Sequence, residues 1–244
     1  TGGFKRLQDD VQAACAYLGL TLRSGVGTDV TSSTVIDAAT WNNLMLNVQD
    51  IWNNRFSPAS VTATTQDSAQ RTTSWTNTLT QITTWTFSSA EDARAFFNLG
   101  GALGISASRT GGHNRDQNTN WTNKLDAIGD VFMSYNSVSS SAGSPSSLGF
   151  YDLTTSDQSL LQYFGSPAPY GSDFIQVFAR VNNTSAPTEV IITTELNDAG
   201  DNVLDDVVDG TLTINARRNL PNENGSGFTM ISPSAVSAGA ISGS

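Results

Sequence analysis

Two segments near the start of the chain have the apolar spacing of amphipathic helices. In residues 4–23, apolar side chains recur at steps of three and four residues. Residues 37–55 repeat this spacing behind Asp37 or Thr40, and either side chain is suited to cap a helix N-terminus. The pattern therefore predicts an α-helical segment over residues 1–58.

The second predicted helix has an apolar stripe that is wide for so small a helical region. The stripe comprises Trp41, Leu44, Met45, Val48, Ile51 and Trp52. A stripe of this width needs a partner surface, in this chain or in a neighbouring subunit. We interpret residues 1–58 as a docking segment, and we expect its assembly interface to consist of Trp41, Leu44, Val48 and Trp52.

The rest of the chain has the short apolar runs and frequent turn residues of a β protein. Thr and Ser alternate with apolar residues in 59–93, which we assign to a linker with bridging strands. Apolar runs recur between turn signals over 94–220 and predict an antiparallel β-sandwich, jelly-roll-like. One polar stretch, 119–130, has helical spacing instead. Residues 221–244 are rich in Ser, Gly, Asn and Ala and are predicted to form a C-terminal arm. The predicted fold class is mainly β with an N-terminal α-helical segment.

The glycine-rich stretch FFNLGGALGISASRTGG, residues 96–112, raises the question of a phosphate-binding loop. Such loops need a lysine or a helix directly after the glycines, and here HNRDQN follows. The residues between the glycine pairs alternate with period two, which is typical of a strand. We therefore expect the paired glycines at a bulge or turn. These glycines are Gly100, Gly101, Gly111 and Gly112.

The net charge argues against some classes of binding partner, and the cysteine content excludes a disulfide within the chain. The formal net charge is −10 and the sequence pI is about 4.3, whereas nucleic-acid binding needs a positive surface. We expect no nucleic-acid partner and, by the same argument, no anionic membrane partner. Cys15 is the single cysteine, so no disulfide forms within the chain. No secretory signal pattern opens the sequence, and Thr1 is interpreted as following removal of an initiator Met or processing.

The sequence has few of the residues that nucleophilic catalysis requires. His113 is the single histidine, and no GxSxG motif accompanies it. We interpret His113 as a loop-tip residue among turn residues and Cys15 as a buried structural cysteine. We therefore expect no enzyme activity, no catalytic residues and no cofactor.

An acidic run over residues 195–209 is the strongest local feature that could bind a cation. Carboxylates are the oxygen ligands that Ca²⁺ prefers, and Asp198, Asp201 and Asp205 are the candidate ligands. Their spacing departs from an EF-hand loop, which favours a solvated loop between two strands. No metal is therefore predicted, with a bound divalent cation as the alternative.

Tryptophan side chains could form a platform on which a sugar ring stacks. Trp121 follows the polar residues QNTN, so it is the candidate for an exposed ring. With the loop over residues 109–120, it would form the site of an adhesin that binds a host-surface glycan. Packing in the core is the alternative for Trp121, and a glycan-degrading enzyme built on paired carboxylates is a third class of function.

An ordered series of motifs resembles a β-rich module in virion structural proteins of tailed phages, notably contractile-tailed phages of marine cyanobacteria. The series runs through FFNLGGALGISASRTGG, QNTNWTNKLDAIG, SLGFYDLTTSDQSLL, DFIQVFARVNNTSAPTEVIITTELND and VDGTLTINARR. The module has an aromatic-Asn-x-Gly-Gly strand, an Asn-x-x-Trp helix start, a Gly-Phe-Tyr-Asp-Leu strand and a closing Val-Asp-Gly-Thr-Leu strand. The resemblance covers most of the chain.

This resemblance implies a virion structural protein that is assembled in the bacterial host cytoplasm. A position in the tail, baseplate or fibre is expected first, and neck or head decoration is the alternative. The implied partners are other virion structural proteins and further copies of the chain, as a trimer or higher ring. The module brings no catalytic residues to transfer to this sequence.

Overall fold

The computed structural model describes residues 2–17, 20–27, 36–54, 63–165, 170–199, 207–220 and 231–244. The chain divides into two compact units. One comprises Thr1–Val61 with Pro221–Met230, and the other comprises Thr62–Leu220 with Ile231–Ser244.

The first unit contains the two predicted helices, α1 (Gly2–Tyr17) and α2 (Ala38–Asn54). Asp37 caps α2, because its Oδ1 accepts a hydrogen bond of 2.7 Å from the Thr40 amide. In the part of this unit that the structure describes, the two helices share a small core. Its buried members are Val11, Cys15, Val26 and Leu44.

In the described residues of the second unit there are twelve strands, two α-helices and a short 3₁₀ helix at Phe150–Asp152. In chain order the elements are β1 (Ala63–Arg71), β2 (Leu79–Thr86), α3 (Ala90–Asn98), β3 (Ala102–Thr110), α4 (Asp116–Ile128), β4 (Val131–Met133), β5 (Val138–Ser139), β6 (Ser144–Pro145), β7 (Gln158–Tyr163), β8 (Phe174–Val181), β9 (Glu189–Asn197), β10 (Thr211–Asn219), β11 (Ala235–Ala238) and β12 (Ser242–Gly243).

The strands form two antiparallel sheets. One has five strands in the order β1-β10-β3-β4-β5, and the other has seven, in the order β11-β2-β9-β8-β7-β6 with β12 also paired to β2. Buried and outward residues alternate along β8 and β10, as expected for strands with one face on a core. Inward side chains of both sheets belong to one hydrophobic cluster. The predicted antiparallel sandwich is confirmed as the fold class.

The sandwich extends beyond the predicted boundaries of residues 94 and 220. β1 pairs with β10 and β2 pairs with β9, so the bridging strands predicted within residues 59–93 are confirmed, but they belong to the two sheets and not to a linker. The prediction of a C-terminal arm is wrong for the end of the chain, because β11 and β12 both pair with β2 and so belong to a sheet. Residues 221–230 of that arm lie outside the described residues.

One helix of the sandwich unit was missed by the sequence analysis. Residues 94–98 were included in an apolar run that leads into a strand, but they belong to α3. Ser89 caps this helix, since its side chain accepts a hydrogen bond of 3.0 Å from the Asp92 amide. The SLGFYDL segment also differs, because part of it forms the 3₁₀ helix instead of a strand. The predicted helix over 119–130 is confirmed as α4, which begins three residues earlier.

The paired glycines lie at turns, as predicted. Gly100 has a φ of 91° between α3 and β3. Gly111 and Gly112 have φ values of 70° and 85° directly after β3, in the left-handed region that favours glycine. The Gly101 amide donates to the Phe96 carbonyl at 2.9 Å and so helps to end α3. None of the helices in the described ranges is long and apolar enough to cross a membrane.

Candidate functional site

The strand register brings two distant loops together beside the start of α4. Thr110 of β3 lies opposite Thr211 of β10, so the loop after β3 adjoins the loop before β10. The first loop carries His113 and the second carries Asp209. Asn118, in the first turns of α4, completes the group. We call the surface depression beside them the α4 groove, which is lined by Arg109, Gly111, Gly112, His113, Asn114, Asn118, Thr119, Thr122 and Asn123.

Asp209 is held by several donors at once. Its Oδ1 accepts hydrogen bonds from the His113 amide at 3.0 Å and from Asn118 Nδ2 at 2.6 Å. Its Oδ2 contacts Nδ1 of the His113 ring. The Asp209 amide in turn donates to Asn118 Oδ1 at 3.0 Å. The Asn118 side chain is thus hydrogen-bonded to both the backbone and the side chain of Asp209. The two loops are therefore joined through one carboxylate.

These donors lower the pKa of Asp209 well below its usual range. The hydrogen bond with the His113 side chain lowers it most, followed by the bonds from the His113 amide and from Asn118. An unfolded aspartate has a pKa of about 3.9. The unfolded state therefore binds more protons than the folded state as the pH falls through this value, and the stability that Asp209 contributes is lost toward lower pH.

We expect the thermal midpoint of the wild-type protein to fall more steeply than that of Asp209→Asn between about pH 5 and about pH 2. The asparagine has no charge to lose, while all other carboxylates titrate in both proteins. Thermal unfolding followed by circular dichroism at each pH measures the difference. Parallel pH profiles of the two proteins would contradict this account of Asp209.

Arg109 forms the buried wall of the α4 groove. Its guanidinium donates to the carbonyls of Asn118 at 3.2 Å and Gly111 at 3.1 Å, and to Thr122 Oγ1 at 3.1 Å. A guanidinium nitrogen also lies 3.6 Å from Asp209 Oδ1. Burial lowers the pKa of Arg109, and Asp209 partly offsets that effect. Arg109 thus links β3, α4 and the Asp209 loop.

The α4 groove has the size of a small-ligand site and several polar side chains along it. Its volume is about 360 Å³, within the range of small-ligand sites. Asn114, Thr119 and Asn123 are exposed along it and present both donors and acceptors. The hydroxyls of Thr119 and Thr122 donate to helix carbonyls at 3.2 Å and 2.9 Å, so they are already engaged. This arrangement is better suited to binding hydroxyl groups than to nucleophilic attack.

Trp121 is fully buried and is not among the residues that line the α4 groove. Its ring makes an edge contact with Trp75, with ring centroids 6.5 Å apart. The prediction of an exposed, sugar-stacking Trp121 is therefore wrong. The predicted loop over residues 109–120 is shorter in the structure, because β3 ends at Thr110 and α4 begins at Asp116. Residues of this stretch do border a depression, the α4 groove.

The candidate cation ligands do not come together in the part of the chain that the structure describes. Asp198 is buried, and its Oδ1 accepts a hydrogen bond of 2.8 Å from Gln117 Nε2. Asp201 and Asp205 lie outside the described residues. Among the described residues, no group of three His, Cys, Asp or Glu side chains could hold a metal ion.

The predicted interface residues on α2 have different environments. Leu44 is buried within the helix pair, so it is not available to a partner subunit. Val48 is half-buried against the same core. Trp41 remains 48% exposed, with its ring centroid 5.7 Å from that of Phe4. The side chain of Trp52 lies outside the described residues. Met45, which was in the stripe but not in the predicted interface, is 45% exposed.

Cys15 is buried in the helix-pair core, as the sequence predicts. Its burial raises the pKa of the Cys15 thiol above its usual value, and the Asp50 carboxylate raises it further. Asn47 Nδ2 lies 3.6 Å from its sulfur. Both effects disfavour the thiolate, the reactive form, so Cys15 is structural.

In the sequence analysis, His113 was considered by itself and Asp209 was included only as the last residue of the acidic run over residues 195–209, so the two were not paired. The signal that could have joined them is the antiparallel pairing of the strands that flank the two loops. Lys124, fully buried in α4, was not singled out at all, although a lysine among the apolar positions of a helix is unusual. No protein-family model, curated protein or solved structure matches the chain. Its function is therefore inferred from these residues.

Proposed function

We propose that the chain is a structural subunit of a bacteriophage virion, in the tail, baseplate or fibre, that assembles through its helical unit and displays its sandwich. The observation that carries the proposal is the apolar surface that α2 leaves exposed at Trp41 and Met45. Neck or head decoration is the alternative position. The order of β-rich motifs, which resembles virion proteins of tailed phages, supports the same class of function.

The size of the helical unit supports assembly as its role. Among the residues of this unit that the structure describes, four apolar side chains are buried in its core, which is little for an independent unit. Meanwhile, two large apolar side chains stay in water one turn apart on the same helix. Beside them runs a groove of about 450 Å³, lined by Asn42, Met45, Leu46, Val48 and Gln49. Burial of this surface against further copies of the chain would add the missing apolar contact.

We expect the wild-type chain, of 25.8 kDa, to form a homo-oligomer, a trimer or higher ring, and the double variant Trp41→Ser, Met45→Ser to have the mass of a single chain. Loss of the apolar surface removes the main source of association free energy. Size-exclusion chromatography with light scattering measures the mass. Circular dichroism checks that the helices remain.

Ile82→Ser is the matched control for this experiment. Ile82 is 45% exposed, the same as Met45, but it lies on β2 of the sandwich. It should leave the oligomer intact. A wild-type chain that is monomeric at all concentrations, or an Ile82→Ser variant that dissociates equally, would contradict assembly through α2.

A second function, binding of a host-surface glycan, is favoured by the α4 groove. Vicinal hydroxyls of a sugar are matched by side chains that offer both a donor and an acceptor, as Asn114 and Asn123 do. The hydrogen bonds around Asp209 fix the loop before any ligand arrives, which lowers the entropic cost of binding. Such binding would suit a virion subunit that contacts the host.

Glycan-array binding of the wild-type protein and of Asn114→Ala, Asn123→Ala tests this second function. We expect the double variant to lose the signal, because it removes the exposed amides of the groove. Asn136→Ala, at an exposed loop asparagine outside the groove, should retain it. Equal binding by all three proteins, or no binding by the wild type, would exclude the groove as the glycan site.

A further inference from the structure

A lysine is enclosed in the sandwich unit beside two carboxyl groups. The Lys124 side chain is 1% exposed, and that of Asp173 is 2% exposed. Lys124 Nζ donates to the carbonyls of Tyr170 at 2.9 Å and of Asp173 at 3.0 Å. The same nitrogen lies 3.6 Å from Asp173 Oδ2. An amine and a carboxyl group are thus held at near-contact distance away from water.

Side chains and backbone around the pair fix both groups. Asp173 Oδ1 accepts a hydrogen bond of 3.0 Å from the Ala199 amide, which anchors the carboxyl group at the end of β9. The Trp121 ring centroid lies 5.1 Å from Lys124 Nζ. Gly165 has no side chain, and a Cβ there would lie 2.7 Å from Lys124 Cγ. Gly165 therefore leaves the space that the lysine stem occupies.

A second buried carboxyl group is close to the lysine. Asp198 is 3% exposed and is oriented by the hydrogen bond from Gln117. Gln117, Trp121 and Lys124 lie on one face of α4, since they are three and four residues apart. Asp198 interacts electrostatically with the Lys124 ammonium. The cluster therefore contains an amine, a carboxyl group to react with it and another carboxyl group to carry protons.

Burial changes which protonation states of these groups are favoured. Desolvation lowers the pKa of Lys124, although Asp173 and Asp198 oppose that effect. Taking separated charges out of water is costly, and proton transfer from an ammonium to a carboxylate gives two neutral groups that burial penalises far less. A neutral amine is a nucleophile, and a protonated carboxyl group is the electrophile that it can attack.

We propose that Lys124 and Asp173 condense to form an intramolecular amide bond, with Asp198 as the proton-transfer group. Lys124 Nζ attacks Cγ of the protonated Asp173 carboxyl group and gives a tetrahedral intermediate. Asp198 accepts a proton from the nitrogen and returns it to the departing hydroxyl group. The C–O bond breaks, the C–N bond forms, and one water molecule leaves. No atom is oxidised or reduced, so no co-reactant is needed.

The bond would connect α4 to the start of β8. Lys124 and Asp173 are 49 residues apart in sequence, so the bond would close a long loop. A covalent link of that length restricts the unfolded chain and raises the stability of the folded state. This inference does not depend on the proposed function, and either could fail without the other.

Intact-mass measurement of the denatured wild-type protein, after incubation of the folded chain at neutral pH, tests the proposal. We expect a mass lower than that of the sequence by one water molecule. The chain has only two lysines, Lys5 and Lys124, which allows a second test. Amine labelling under denaturing conditions should modify Lys5 and leave Lys124 unmodified. Tryptic peptide mapping should give a branched peptide that joins Lys124 to Asp173.

Two variants and one internal check complete the test. Lys124→Arg and Asp198→Asn should have the full sequence mass, and circular dichroism shows whether Asp198→Asn retains the wild-type fold. Asp209-Gly210 is an Asp-Gly step that can also lose one water by cyclising, so the peptide map must place the loss. A wild-type protein of full mass with both lysines labelled, or a water loss confined to Asp209, would overturn the proposal. Full condensation in Asp198→Asn would overturn the role of Asp198.

Discussion

Replacing Trp121 by alanine is expected to lower the free energy of unfolding by about 3–5 kcal/mol. Trp121 is fully buried between α4 and the sandwich core, where it contacts Trp75. Truncation removes the transfer free energy of the ring and leaves a cavity that its neighbours fill only in part. Urea denaturation followed by tryptophan fluorescence and circular dichroism measures the loss.

Ile82→Ala is the control for Trp121→Ala, since Ile82 is apolar, 45% exposed and in the same unit. Its effect on the free energy of unfolding should stay within about 0.5 kcal/mol. If Trp121→Ala left stability unchanged and abolished glycan binding, Trp121 would be a surface ligand-binding residue after all. The buried position described above would then be wrong.

Gly104→Ala is expected to destabilise the sandwich by at least about 1–3 kcal/mol, the usual cost of overpacking a core. A Cβ at Gly104 would lie 1.9 Å from the Val131 carbonyl oxygen, and backbone cannot move aside as a flexible side chain can. Gly104 pairs with Phe132, so the clash would separate β3 from β4. The measurement is the same denaturant titration, with the soluble yield recorded alongside.

Ser108→Ala, on the same strand and half-buried, is the matched control for Gly104→Ala. It adds no atoms and should change the free energy of unfolding by less than about 0.5 kcal/mol. If Gly104→Ala were as stable as the wild type, the close approach of β3 to β4 would not require glycine. Neither the space around Gly104 nor its backbone conformation would then explain why this position is a glycine.

Local sequence patterns predicted the helices of the first unit and the sandwich of the second. The α2 helix has both a capping residue, Asp37, and a clear apolar period. The predicted range, residues 37–55, therefore agrees with the observed helix to within one residue at each end. α3 was missed because its two adjacent phenylalanines suit a strand as well as a helix, and the Ser89 cap was overlooked. β1 was assigned to a linker because its residues are mostly polar, yet it pairs with β10 along its length.

The candidate site depended on contacts that sequence spacing does not contain. Trp121 was expected to be exposed because its sequence neighbours are polar. In a helix, however, adjacent residues point in different directions, and Trp121 shares its face with Leu125 and Ile128. His113 and Asp209 are separated by 96 residues, and only the β3–β10 register brings them together. Lys124 and Asp173 likewise meet only in the folded unit.

The central claim, that this chain is a virion subunit, is tested most directly by quantifying it in purified phage particles by mass spectrometry. Particles would be isolated by density gradient and washed with high salt before digestion. The account predicts several copies of the chain per particle, in a fixed ratio to the other structural proteins. A chain that is absent from washed particles, and is recovered only from the soluble fraction of lysed cells, would contradict it.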